Sequence, residues 1–272
     1  MTTKALCFKY LAIHLVGFIG ASFLAGLSSN LILTSLPVAS ENIQFTVKGI
    51  ISASLVWLAF VTFNKIQGMT NSASPALAST TSFTLVLLAV CSIIALVAAL
   101  YGLDLYLVQA RQSANEILFV LAALFCQSLS QEILFRGILF RAFSLGYSAL
   151  TVAILLSIAF ALLNILVDGT NLMPLLAALL SCFILCLLFT WRQSLVLNAL
   201  VNTSWLYVTF LTGVLDEHWR GSSPLITRPH GNVMLSGGKF GPESSIFGII
   251  LLAAFAVWLY KVYLKAPVAN KS

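Results

Sequence analysis

The sequence predicts an all-α fold, a polytopic transmembrane bundle of about eight helices, each near the length that crosses about 30 Å of hydrocarbon. The composition supports this prediction in two ways. Of the 272 residues, 60% are hydrophobic and 8% are charged, whereas an average soluble domain is about 25% charged. The mean hydropathy is +1.02. Such a chain has too little polar surface to cover a water-soluble globule, so membrane lipid is its expected surrounding and partner.

The same composition argues against a secreted disulfide scaffold, a disordered regulator and a soluble nucleic-acid binder. The net charge of +6 is better explained by lysine and arginine retained on the cytoplasmic side of a membrane than by binding to nucleic acid. We therefore predict no nucleic-acid partner, and no residue pattern indicates a cofactor or a metal.

The apolar stretches give the predicted helices in order. The first follows Lys4 and Lys9, as a signal peptide would. It lacks a clear small-x-small cleavage site, so we expect an uncleaved helix. A polar linker, 66–79, separates the second and third helices. The predicted spans are 10–36, 47–64, 80–101, 115–135, 147–167, 172–190, 193–213 and 245–264.

The charges suggest an orientation for these helices. Eight crossings place both termini on one side, predicted to be the cytoplasm beneath an inner or plasma membrane. Nine of the 14 lysines and arginines then fall in inner segments and five in outer ones, as the positive-inside rule expects. The hydrophilic segment 214–244 lies outside in this arrangement. Pro242 and Glu243 near its end are predicted to open the last helix.

Four of the five cysteines lie in apolar runs, which argues against a disulfide framework. Cys182 and Cys186 are one helical turn apart. Two thiols without further ligands are a weak metal signal, so we interpret them as packing residues.

The segment Ser128–Gly137 carries an acid and a base at membrane depth, where charged residues are costly and are candidates for function. Glu132 and Arg136 are four residues apart and share one face of a helix. Pairing lowers the cost of burying either charge. The alternative to a functional role is an ion pair that fixes helix packing.

Asparagines occur in two later helices. Asn164 shares a face with Phe160, and Asn198 is one turn from Asn202. An asparagine in an apolar helix requires hydrogen-bond partners, because lipid supplies none. Each asparagine alone would be interpreted as a link between helices.

Together and in this order, the three patterns resemble the CPBP family of intramembrane CAAX proteases and bacteriocin-processing enzymes, also called Abi. The family pattern is Glu-Glu-x-x-x-Arg, then Phe-x-x-x-His, then His-x-x-x-Asn or His-x-x-x-Asp. The resemblance covers about 115–210. It divides the chain into N-terminal helices 1–114, a motif core 115–210, an extracytoplasmic loop 211–244, and a last helix with a basic tail 245–272. The positions that match the catalytic motifs are Gln131, Glu132, Arg136, Asn164, Asn198 and Asn202.

Three of these positions depart from the family pattern. Gln131 stands where the family has its first glutamate, and Asn164 and Asn198 stand where it has histidines. The resemblance implies that the first glutamate and first histidine activate a water, and that the second histidine and last polar residue stabilise the oxyanion. An amide cannot act as a general base near neutral pH. Asn198 and Asn202 can still donate hydrogen bonds to an oxyanion.

Other residues could in principle replace the missing base. Asp168 shares a face with Asn164, and Glu243 could fold back from the last helix. His14, His218 and His230 are interpreted as packing or loop residues. The predicted spans also place Glu132 and Asn198 near inner ends and Asn164 near an outer end, although a shared site requires one depth.

Three hypotheses follow. The chain is a catalytically impaired relative that binds a peptide or a membrane protein, an active glutamic-type intramembrane endopeptidase with an altered site, or a small-solute carrier or structural protein. No zinc-protease motif, serine–histidine pair or aspartyl pair points to another intramembrane chemistry.

Overall fold

The computed structural model describes residues 41–66, 80–111, 117–168, 171–214 and 223–265, with three isolated helical positions near the N-terminus. The predicted first span and nearly all of the polar linker lie outside these residues. So do His14, His218 and both termini, so the predicted orientation stays a prediction.

Seven long helices and two strands make up the described part of the chain. They are α1 Glu41–Ile66, α2 Thr80–Gly102, β1 Tyr106–Arg111, α3 Ile117–Ser144, α4 Ala149–Asp168, α5 Leu172–Arg192, α6 Leu195–Leu211, β2 Leu225–Pro229 and α7 Ile246–Lys265.

The helices form the predicted membrane bundle. Four of those described, α2, α3, α5 and α7, are long and apolar enough to cross a membrane. The apolar parts of α1, α4 and α6 are shorter; the 17 residues of α6 reach about 26 Å at 1.5 Å per residue. An all-α bundle is therefore confirmed, and the count of eight crossings stays a prediction.

Helix α3 organises the bundle. It packs against α1 on one side and α6 on the other, while α5 packs between α4 and α7. The helix continues to Ser144, well past its predicted end near 135. Its hydrogen bonding changes from α-helical to π-helical over Ile133–Phe140. Gly137 allows α1 to approach, because a Cβ there would lie 3.1 Å from the Phe60 ring.

A short antiparallel sheet was not predicted. Strand β1 follows α2, and it pairs with β2 from the hydrophilic segment that follows α6. We call this end of the bundle the sheet end. Gly213, at φ +69°, permits the connection, since a Cβ there would lie 1.9 Å from the carbonyl oxygen of Leu225.

Residues 237–244, which we call the turn segment, lie against the sheet end. The Tyr106 hydroxyl donates to the Ser236 carbonyl beside it at 2.6 Å. The prediction that Pro242 and Glu243 open the last helix was wrong by a few residues. Pro242 opens a 3-10 turn, and α7 is capped by Ser245, whose Oγ accepts from the Gly248 N–H at 3.0 Å. Ser245 thus satisfies one of the free backbone N–H groups at the start of α7. Pro242 could not do so, because its side chain has no hydrogen-bond acceptor.

Candidate functional site

The motif helices enclose a cavity of about 550 Å³ that extends inward from the sheet end. Helices α3, α4, α5 and α6 form its walls, and the turn segment covers part of it. Its polar lining comprises Gln127, Gln131, Glu132, Arg136, Asn164, Ser181, Cys182, Asn202, Lys239, Glu243 and Ser244.

Glu132 and Arg136 form the predicted ion pair at the inner end of the cavity. Arg136 Nη1 donates to Glu132 Oε1 at 3.0 Å, and the side chains are 3% and 1% exposed. Arg136 Nη2 also donates to the Cys182 carbonyl oxygen at 2.9 Å. The pair therefore links α3 to α5, and both charges are compensated within the bundle.

Asn198 completes this cluster from α6. Its Nδ2 donates to Glu132 Oε2 at 3.1 Å and to the Leu185 carbonyl oxygen at 2.7 Å. The side chain is fully buried and lies behind the cavity wall, not in the lining. Of the six motif positions, Asn198 is thus the one that the structure keeps out of the cavity. Its amide holds the carboxylate of Glu132 in place.

Asn164 and Asn202 do line the cavity, but neither contacts Glu132. Asn202 Nδ2 donates to Ser128 Oγ on α3 at 3.3 Å. Asn164 Nδ2 donates to the Phe160 carbonyl oxygen of its own helix at 2.8 Å. The Phe160 ring meets Phe135 edge to face, with centroids 5.2 Å apart. The predicted conflict of depth is resolved, because α3 is longer than expected and Asn164 reaches the same cavity as Glu132.

Gln131 and Gln127 are one turn apart on α3 and both face the cavity. Gln131 is half-buried and Gln127 is exposed. Neither amide forms a hydrogen bond with another described residue. They are therefore available to a ligand, in contrast to the carboxylate of Glu132.

The turn segment contributes two charged residues to the lining. Glu243 was expected to open the last helix and was also considered as a substitute base that folds back, and it lies in the cavity wall. Glycines make this possible: a Cβ at Gly241 would lie 2.9 Å from Glu243 Oε2, and one at Gly248 would lie 2.7 Å from Glu243 Cα. Lys239 was not anticipated at all. Its ammonium lies 5.0 Å from the Phe240 ring centroid. The closely spaced glycines were the signal for a tightly folded segment.

The other proposed substitutes do not reach the cavity in the described residues. His230 is exposed at the end of β2, where its backbone N–H donates to Leu105. The side chain of Asp168 lies outside the described part of the structure. Across the described ranges, no histidine lines the cavity, and no group of three or more His, Cys, Asp or Glu side chains is placed to hold a metal.

Fold and cavity together define an integral membrane protein with a polar site inside its helical bundle. Residues 113–208 match the family described as type II CAAX prenyl endopeptidase Rce1-like, and this match supports the resemblance of that stretch to the CAAX-protease (CPBP) family. The match begins just before α3 and ends within α6, so it contains all six motif positions. No curated protein and no solved structure matches the chain.

Proposed function

We propose that this protein is a catalytically impaired member of the CAAX-protease-like family that binds a peptide, or a segment of another membrane protein, in its cavity. The observation that carries the proposal is the state of Glu132. Arg136 and Asn198 each hold one of its carboxylate oxygens. A general base must approach the proton that it removes, and a carboxylate engaged on both oxygens is poorly placed for that.

The residues present where the family has its base and its two imidazoles strengthen this proposal. Gln131, Asn164 and Asn198 carry amides, which do not take up a proton near neutral pH. A proton-transfer group typically contributes about 10²–10⁴-fold in rate. The loss of both the carboxylate and its imidazole partner should therefore leave little turnover.

The lining suits a polypeptide ligand. Each peptide unit offers one N–H donor and one carbonyl acceptor, and a glutamine side chain offers both complements. Gln127 and Gln131 present two such amides one turn apart. The cavity volume of about 550 Å³ is of the size that holds small ligands or a few residues of a peptide.

A restoration experiment tests the proposal. The variant Gln131→Glu/Asn164→His/Asn198→His is compared with wild type for cleavage and for binding of membrane-proximal peptides in detergent. The matched control, Gln127→Glu/Asn164→His/Asn198→His, places the same acid one turn away. We expect wild type to bind without cleaving, and cleavage to be gained by the restored variant alone. Cleavage by wild type that is lost in Glu132→Gln would overturn the proposal.

Glu243 favours a second candidate, an active endopeptidase with a relocated carboxylate. It lines the same cavity as Gln131 and is carried by the turn segment, and the sequence had already suggested it as a carboxylate that could fold back to replace the missing base. If this candidate holds, wild type cleaves a peptide and Glu243→Gln abolishes cleavage while peptide binding persists. A wild type without cleavage rejects it.

A further inference from the structure

A second groove, lined by apolar side chains, lies between α2 and α7. Helix α2 packs against α6 and α7 packs against α5, so α5 and α6 form the floor of this groove and α2 and α7 form its walls. Trp205 of α6 lines both this groove and the polar cavity, and so belongs to the wall between them. Leu88 on α2 and Trp258 on α7 are each 39% exposed. The α2–α7 groove therefore opens toward the surrounding lipid.

The α2–α7 groove suits a hydrocarbon chain. Besides Ser92 and two tryptophans, its lining consists of Leu, Ile, Val, Ala and Phe. Ser92 Oγ donates to the Ala89 carbonyl oxygen of its own helix at 2.9 Å, which leaves little for a polar ligand to bind. From Leu85 to Ser92 the groove follows α2 for about 10 Å, at 1.5 Å per residue. Its long axis is thus parallel to helices that are long enough to cross the membrane, as the acyl chains of a bilayer are.

A cation lies at one end of the α2–α7 groove. Leu188 on α5 and Leu85 on α2 line the groove, and one helical turn beyond them are Arg192 and Ser82. Arg192 Nη2 donates to Ser82 Oγ at 3.2 Å. The guanidinium therefore joins α5 to α2 at the point where the apolar lining ends.

Aromatic rings connect this cation to the groove. The Arg192 guanidinium carbon lies 5.5 Å from the centroid of the Trp191 ring. Trp191 meets Trp258, which lines the groove, edge to face with centroids 6.4 Å apart. Arg192 is the last residue of α5, and α2 begins at Thr80. Tryptophans and the charged ends of long side chains concentrate at the membrane surface, so Arg192 lies at the level of the lipid headgroups.

We infer that the α2–α7 groove binds one molecule of an anionic phospholipid, with an acyl chain in the groove and the phosphate at Arg192. A guanidinium forms charge-assisted hydrogen bonds with phosphate oxygens in a geometry that an ammonium does not match. Basic sites between membrane helices bind acidic headgroups in this way. The apolar groove and the cation at its end thus fit the two chemically different parts of one lipid.

The charge of the headgroup decides which lipid is preferred. A phosphatidylglycerol headgroup carries only the negative phosphate, whereas phosphatidylcholine adds a cation that would lie close to Arg192. The bound lipid would span the space between α2 and α7, and a ligand that binds the folded state alone stabilises it. The inference does not depend on peptide binding, because the lipid lies outside the polar cavity.

Lipid titration tests the headgroup contact. The full chain is purified in detergent, freed of lipid and titrated with dioleoyl phosphatidylglycerol or dioleoyl phosphatidylcholine, and native mass spectrometry counts the bound molecules. Arg192→Gln is compared with wild type. The matched control is Arg228→Gln, which removes the same charge from an exposed position of β2 at the sheet end. Elution as a single species in gel filtration confirms folding.

We expect wild type to bind phosphatidylglycerol at least about tenfold more tightly than phosphatidylcholine, the value of a hydrogen bond to a charged group. Arg192→Gln should remove this preference and Arg228→Gln should keep it. If Arg192→Gln does not fold, Arg192→Lys replaces it and should bind phosphatidylglycerol more weakly than wild type, because lysine lacks the planar fork of donors. Equal binding of the two lipids by wild type, or an equal loss in Arg192→Gln and Arg228→Gln, overturns the inference.

A second pair of variants tests the acyl chain. Ser92→Phe fills the groove, whereas Cys91→Phe places the same ring on the exposed neighbour, which does not line it. Ser92→Phe should weaken the binding of phosphatidylglycerol by about tenfold, since the displacement of a few methylene groups is enough for that, and Cys91→Phe should leave it unchanged. Unchanged binding in Ser92→Phe, or displacement of the lipid by an equal concentration of glycerol 3-phosphate, would show that the groove holds no chain and overturns the inference.

Discussion

The polar groups at the inner end of the cavity are hydrogen-bonded to one another, whereas those on its outer wall have no described partner. At the inner end, Glu132, Arg136 and Asn198 are buried and bonded to one another. On the wall nearer the sheet end, Gln127 and Gln131 face open space without described partners. Four of these five residues come from one short region of α3, 127–136, and Asn198 comes from the neighbouring α6.

The difference distinguishes the polar residues that stabilise the bundle from those that can bind a ligand. A charge inside a bundle must be compensated by protein, because lipid cannot do so. The groups that are already compensated hold helices together, and those that are not can bind a ligand. The substitutions below are expected to affect stability at the inner end and binding at the outer wall.

The largest effect is expected at the ion pair. Glu132→Ala leaves Arg136 buried without its carboxylate, and breaking one partner of such a pair costs about 3–5 kcal/mol. The double variant Glu132→Met/Arg136→Leu should recover most of this, since it leaves no charge behind. The free energy of unfolding in mixed detergent micelles measures both. A single variant that matches wild-type stability would show that the pair contributes little to the bundle.

The next effect is expected in the turn segment. Gly241 has φ +91°, and alanine there meets the Glu243 carboxylate at 2.9–3.1 Å. Backbone strain of this kind costs about 1–3 kcal/mol. Gly102→Ala is the control, because no atom lies within 4 Å of its added Cβ. Unfolding free energies that are lowered equally in the two variants would contradict the description of this turn.

Asn198→Ala should cost about 1–3 kcal/mol, because it removes the donor from a buried carboxylate oxygen and a buried carbonyl. The matched change is Asn202→Ala, which removes one longer bond, of 3.3 Å, at the cavity surface. We expect Asn202→Ala to be the milder variant in the same unfolding assay. If Asn202→Ala lowered the free energy of unfolding more than Asn198→Ala, Asn202 would be the amide that stabilises the bundle.

The smallest change in stability is expected at Gln131. Gln131→Ala should alter the free energy of unfolding by less than about 0.5 kcal/mol, as for surface substitutions. It should still weaken peptide binding by about threefold to tenfold, the value of one lost hydrogen bond. Calorimetric titration measures the affinity. A destabilised Gln131→Ala protein would remove the contrast between the two parts of the cavity.

The sequence predicted the elements that depend on local spacing. The four-residue separation of Glu132 and Arg136 was sufficient to predict their pair, and hydropathy located the long helices. The end of α3 was wrong because a hydropathy window stops at Arg136, although pairing makes that charge compatible with the interior. Hydropathy scores each residue alone, so it does not include the lower cost of burying Arg136 beside Glu132.

The sheet and the turn segment could not be predicted in the same way. Five of the six residues of β1 are exposed, so the strand has no apolar alternation to indicate it. Its partner β2 lies more than a hundred residues away. The position of Asn198 behind the cavity, rather than in it, likewise depends on the way α6 packs against α3.

The π-helical stretch Ile133–Phe140 also fixes the rotational phase of the rest of α3. Beyond it, Arg141 lies over two rings, 5.7 Å from the centroids of Phe60 and Phe189. Removal of one residue between Arg136 and Arg141 would turn the following residues by about 100° about the helix axis. Arg141 would then leave both rings, while the pair of Glu132 and Arg136, upstream of the deletion, would be kept. The π-helical stretch thus sets the angle between Arg136 and Arg141 about the helix axis. One continuous helix can therefore place Arg136 against Glu132 and Arg141 against the Phe60 and Phe189 rings.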